Sequence, residues 1–176
     1  MNALARSSWK PIISAGVAAS LVALLGATIT ALGPWYYGLH MPRWKPPDAL
    51  FGPAWTLIFA LAATAGVLGW RSLPTRVSRA TMCGFFAANA LFNVLWSVLF
   101  FRLHRPDLAL LEVSLLWLSI LLLMLLLWRG SRLAAWLLLP YLVWVSYAAV
   151  LNLAVVRMNP VAHASAMRGD AMRGES

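Results

Sequence analysis

Charge is what this sequence has least of. Only 11% of its 176 residues are Asp, Glu, Lys or Arg, and 5 of these are acidic against 14 basic. So few carboxylates leave no pair placed for general acid–base work. GxSxG, HExxH and a phosphate-binding glycine loop are missing as well, which removes hydrolase, zinc-protease and P-loop chemistry. Cysteine is nearly absent. Cys83 stands alone, so one chain holds neither a disulfide framework nor a cysteine-based metal site. His40, His104 and His163 each lack a nearby second ligand, so no metal is expected. Short alternating segments are lacking too, which argues against a membrane barrel, and open sheet edges are excluded in lipid. The net charge of +9 is spread over six short polar segments and builds no continuous basic stripe. Nucleic acid is therefore not an expected partner, whereas anionic lipid headgroups are.

What remains is apolar. The hydrophobic fraction is 62% and the mean hydropathy +0.78, beyond the range of a soluble domain. Charged residues bound uncharged windows at 11–42, 49–70, 80–101, 113–128 and 133–156. The second and third windows hold 22 residues each, and a helix of that length rises about 33 Å, enough to cross a hydrocarbon core of about 30 Å. The fold expected is all-α: one domain over 1–160 with five transmembrane helices near 12–32, 51–70, 80–101, 107–128 and 133–156. A loop over 33–50 and a disordered polar tail over 161–176 complete it. Arg6 and Lys10 precede the first apolar run as in a signal peptide, but about 20 apolar residues exceed an h-region, so the run is expected to stay as the first helix. Glu112 interrupts the fourth run. Lying little more than a turn inside a helix opened by Pro106 and Asp107, it is expected to reach the headgroups. Too shallow for ion coupling, it speaks against a coupled transporter. Orientation is undecided, because seven basic residues fall on each side.

Tryptophan is the residue in excess, with 10 copies. Trp9, Trp70, Trp128 and Trp136 lie at span ends, where an indole satisfies hydrocarbon and headgroup together. Trp96, Trp117 and Trp144 lie deeper, where an indole N–H needs a partner, and Trp55 sits about one turn into the second helix. The deep amides are Asn89, Asn93 and Asn152, each costly against lipid and so expected to face inward, either gluing helices or lining a site. Helical spacing puts Asn89, Asn93, Trp96 and Phe100 on one stripe, and Tyr141, Trp144, Ala148 and Asn152 on another. Alternating helix direction brings Trp55, Asn93, Trp96, Phe100, Trp144, Ala148 and Asn152 into the half of the membrane beneath the 33–50 loop. That loop is proline-stiffened and carries Trp35, Tyr36 and Trp44 as a lid. An aromatic cavity with a few amides suits a flat hydrophobic ligand.

Three separated motifs carry a resemblance over most of the chain: WYYGLHMPRWKPPDALFGPAW, NALFNVLWSVLFF and PYLVWVSYAAVLN. They resemble the translocator proteins, also called tryptophan-rich sensory proteins or peripheral-type benzodiazepine receptors. The resemblance implies a five-helix bundle, commonly a homodimer, that binds porphyrins in a pocket under the first loop and, in animal members, cholesterol and benzodiazepine-site drugs. By motif match Trp55, Trp144 and Ala148 are pocket residues, with Tyr36, Asn89 and Asn93 at further pocket positions. Porphyrin or haem would enter as ligand, with no cofactor required. Light-dependent oxidative porphyrin degradation, assigned in some bacterial members to the tryptophans matching Trp55 and Trp144, is implied as an alternative activity. A structural scaffold is the third reading. In animal members a Leu/Val, Tyr, Lys/Arg pattern ends the fifth helix. Here Leu153 stands in the tyrosine's place, so a sterol route lacks its ring. Ala80, Gly84 and Ala88 give the third helix a smooth face for a homodimer. The excess of arginine over lysine favours a bacterial envelope membrane over a mitochondrial outer membrane.

Overall fold

A computed structural model of the chain describes residues 9–30 and 32–160. The tail expected over 161–176 lies outside the described residues. Helix α1 covers Lys10–Ile29, and a short α2 covers Pro34–Tyr37 within the first loop. A 3-10 turn at Asp48–Leu50 leads into α3, Phe51–Ser72. Helix α4, Arg76–Ser97, ends in a π turn over Val98–Arg102, and α5 runs Pro106–Trp128. The fifth span is divided into α6, Arg132–Leu137, and α7, Leu139–Met158. The division follows from Pro140, whose ring nitrogen has no hydrogen for the carbonyl one turn back. Five stretches are long and apolar enough to cross a membrane, and no strand occurs among the described residues, so the chain is a multi-pass helical membrane protein.

Local chemistry sets the helix ends. Thr75 and Ser78 form a reciprocal capping box at the start of α4, and the Ser131 hydroxyl accepts from Ala134 N–H at the start of α6. Between α4 and α5 the chain reverses through His104, whose φ of 53° lies in the left-handed region. Arg105 then grips Asp107 with two nitrogens, Nε to Oδ1 at 2.9 Å and Nη2 to Oδ2 at 2.7 Å.

Helix α5 is the centre of the bundle. Glu112, Leu116, Ser119, Leu123 and Leu127 recur every three or four residues and are all buried, packing against α3, α4 and α7. Gly69 on α3 makes this packing possible, since a Cβ there would lie 2.7 Å from Met82 Sδ and closer still to Leu127. Helix α1 is the opposite case: none of its residues is buried.

Glu112 departs from the expectation. It is only 5% exposed, and neither carboxyl oxygen has a hydrogen-bond partner among the described residues. Two things keep it from the headgroups. Six residues separate it from Pro106, about 9 Å along the axis, and its helical phase is that of the core stripe.

Candidate functional site

Beneath the first loop, α1, α3, α4, α5 and α7 enclose a cavity of about 240 Å³. Its floor and walls are aromatic. Trp55 meets Trp144 edge to face with ring centroids 6.4 Å apart, and meets Tyr141 the same way at 5.9 Å. Ala148, one turn after Trp144, keeps that wall low. The opposite wall is Asn93, Trp96 and Phe101. The π turn accounts for the doubled phenylalanines: its wider turn lets Phe100 stack on Trp96 at 5.1 Å while Phe101 meets the same indole edge-on at 6.0 Å.

The loop closes the cavity with a polar corner. Tyr36 donates its hydroxyl proton to Asp48 Oδ1 at 2.8 Å, and Lys45 Nζ reaches both the Tyr36 oxygen, at 3.2 Å, and the Asp48 carboxylate. Burial, and then the hydrogen bond to Asp48, push the Tyr36 phenol above its ordinary value, so it remains a donor at neutral pH. A second fixing point lies at the end of α7. Asn159 accepts from His40 N–H at 2.9 Å and donates to His40 C=O at 3.0 Å, pairing one side-chain amide with both backbone groups of a loop residue.

Deeper in the membrane an amide–phenol cluster links three helices. Asn93 Nδ2 donates to the Tyr141 hydroxyl at 3.2 Å, that hydroxyl donates to Asn89 Oδ1 at 3.1 Å, and Asn89 Nδ2 donates to Ser119 Oγ at 2.8 Å. All four residues are buried and each finds a partner, as polar groups away from water require. The Asn89 to Ser119 bond also sets the register of the antiparallel α4–α5 pair. Two turns along each helix from that bond, Trp96 faces the level of Glu112, and the Trp96 indole N–H likewise has no protein partner. Of these two buried polar groups only Trp96 lines the aromatic cavity, Glu112 preceding the lining residue Val113 in α5.

Of the residues expected at the site, Tyr36, Trp55, Asn93, Trp96, Trp144 and Ala148 line this cavity. The others are placed elsewhere. Trp35 stacks on His104 at 4.2 Å and meets Phe100 at 5.8 Å, forming a layer behind the wall. Trp44 is half exposed on the loop, its ring edge-on to Tyr147 and its carbonyl accepting from the Tyr147 hydroxyl. Asn89 lies one turn below the cavity, in the cluster. Asn152, with its amide oriented to satisfy both neighbours, donates to Pro106 C=O at 3.0 Å and accepts from Leu110 N–H at 3.1 Å, so it joins α7 to α5. Trp117 finds the partner its depth demands, donating to Ser146 Oγ at 2.9 Å. Asp48, Ser119 and Asn159 are the site residues that sequence reasoning passes over. Asp48 was visible only as a span boundary, and Ser119 and Asn159 become informative only when distant helices meet.

The comparisons agree with this geometry. The TspO/MBR family matches residues 13–158. Tryptophan-rich protein TspO of Chlorobaculum tepidum is 40% identical over 145 residues, covering 79% of this chain and 89% of that protein. Protein CrtK of Rhodobacter capsulatus is 36% identical over 141 residues, covering 78% and 88%. The human translocator protein is 29% identical over 154 residues, covering 86% and 91%. With the five-span bundle and the loop-covered aromatic cavity, a match of this extent settles kinship: the chain belongs to the TspO/MBR family of membrane proteins.

Proposed function

We propose that the protein is a receptor or transporter-like membrane protein that holds a flat, largely apolar tetrapyrrole in the cavity under the first loop. The observation that carries this reading is the approach of Trp55 and Trp144 at 6.4 Å around a space bounded by Asn93 and the Tyr36–Asp48 corner. Ring faces supply stacking area, and the sparse polar groups fix orientation. At about 240 Å³ the cavity is smaller than the roughly 300–1,000 Å³ usual for ligand sites, so a porphyrin requires one wall to give way. Helix α1 supplies that wall through Gly26, Ala27 and Thr30, and it is the helix with no buried residue. The membrane we assign is a bacterial envelope membrane, in keeping with the bacterial relatives. The dimer face we assign is Ala80, Gly84 and Ala88, where Gly84 has open space around it.

Titration of the purified protein with protoporphyrin tests the reading. Saturable quenching of tryptophan emission is expected, weakened about tenfold or more by Trp144→Phe and abolished by Ala148→Phe, which fills the cavity. No saturable change in the unaltered protein would reject it. The pairing of two indoles at one cavity also supports a second reading, light-dependent oxidative loss of the bound porphyrin. Product analysis in light and darkness separates the two, and unchanged photochemistry in a Trp55→Phe, Trp144→Phe double variant would remove the indoles from any redox role.

A further inference from the structure

The bundle contains a second and larger cavity, of about 760 Å³, in the half of the membrane away from the loop. It lies between α1, α3 and α4. The two cavities share Phe59, and the amide–phenol cluster separates them: Asn93 lines the upper one, while Asn89 and Tyr141 line the lower. They are therefore distinct spaces stacked along the bundle.

Small side chains create the lower space. Ala18 and Ala19 of α1, Ala62, Ala63 and Gly66 of α3, and Ala87 of α4 face it. No acidic side chain lines it among the described residues, and its end at the start of α1 carries one cation, Lys10. Lys10 sits at the start of α1, in no salt bridge among the described residues, and Trp70 beside it bears the Arg79 guanidinium 5.5 Å from its ring centroid. The slot is thus apolar along its length and positive at its mouth. From Lys10 to Val22 it runs twelve residues, about 18 Å.

We propose that this lower cavity is a separate binding site for an anionic single-chain lipid, with its carboxylate at Lys10 and its acyl chain lying along α1 toward Phe59 and Tyr141. Size selects this occupant over a helix of a second copy. Helices α1, α3 and α4 touch one another pairwise around the slot, so a helix about 10 Å across cannot lie between them, whereas one acyl chain is thin enough to enter. Charge selects an anionic headgroup over a zwitterionic one, because among the described residues nothing acidic lines the slot to pair with an ammonium.

Cys83 makes the test direct, since it is the chain's one cysteine and it lines this cavity. The rate of its alkylation by a small maleimide is measured in detergent at increasing oleate, with oleyl alcohol as the uncharged counterpart. Oleate should slow the reaction saturably, at least tenfold at the plateau, and should act at about tenfold lower concentration than the alcohol. Lys10→Gln should remove that preference. Gly66→Leu or Ala18→Leu, which fill the slot from opposite walls, should remove protection while leaving saturable quenching by protoporphyrin in place. Equal protection by oleate and oleyl alcohol, protection that persists in both filled variants, or no protection at all would overturn the proposal.

Discussion

Helices α1 and α5 are alike in being strongly apolar and behave as opposites. Both are long and apolar enough to cross a membrane, yet α5 buries nine residues and α1 buries none. Hydropathy governs whether a segment enters lipid, while shape and polar partners govern where it packs once there. Helix α5 offers large side chains on a regular stripe together with Ser119, which bonds across to α4. Helix α1 offers alanine and glycine toward the bundle and bulky Ile12, Leu21 and Leu24 toward lipid. One helix holds the structure together, and the other lines one side of both cavities.

The sharpest way to break this contrast is paired truncation. Leu123→Ala on α5 should cost about 2 kcal/mol, near the low end for such changes because lipid already solvates apolar groups and only packing is lost. Leu24→Ala on α1 should stay within about 0.5 kcal/mol. Equilibrium unfolding in micelles measures both, and equal costs would erase the distinction. Two glycines of α3 sharpen it further, Gly69 packed on α5 and Gly66 on the cavity that α1 also lines. Gly69→Ala drives a methyl into Leu127 of α5 and Met82 and should destabilise by about 1–3 kcal/mol. Gly66→Ala meets only Phe86 at 3.5 Å on the cavity side and should be close to neutral, with reduced hydrogen exchange along α3 as the accompanying sign. The least intuitive effect concerns Glu112. Since its carboxyl oxygens have no partner, Glu112→Leu should raise stability by about 1 kcal/mol. A loss of that size instead would mean that the carboxyl does hold a partner in the membrane-embedded protein.

Much of this was legible in one sequence, because each legible feature depends on a local period. Charge gaps marked the spans, and the four-residue step from Asn89 to Asn93 placed both amides on the inner face. What escaped depends on helical phase at a single residue or on contacts far apart in the chain. Glu112 was read by depth alone, although the stripe from Leu116 to Leu127 already sets its phase inward. Trp35 and Phe100 carry the right chemistry but stand one layer behind the cavity, a distinction of a few ångströms that residue type does not encode. Asn152 has the composition of a ligand contact and is taken up by the first turn of α5. The division of the fifth span at Leu138 was written in Pro140, and the apolar run around it masked the signal.

The clasp of Asn159 on His40 has a mechanical corollary. The stretch carrying Trp35 and Tyr36 and the stretch carrying Lys45 and Asp48 are joined to each other at the Tyr36–Asp48–Lys45 corner and to the bundle at His40, so the cover is tied down at two points. Asn159 follows directly on the last turn of α7, so the end of the fifth span and the cover of the cavity are held by the same pair of hydrogen bonds.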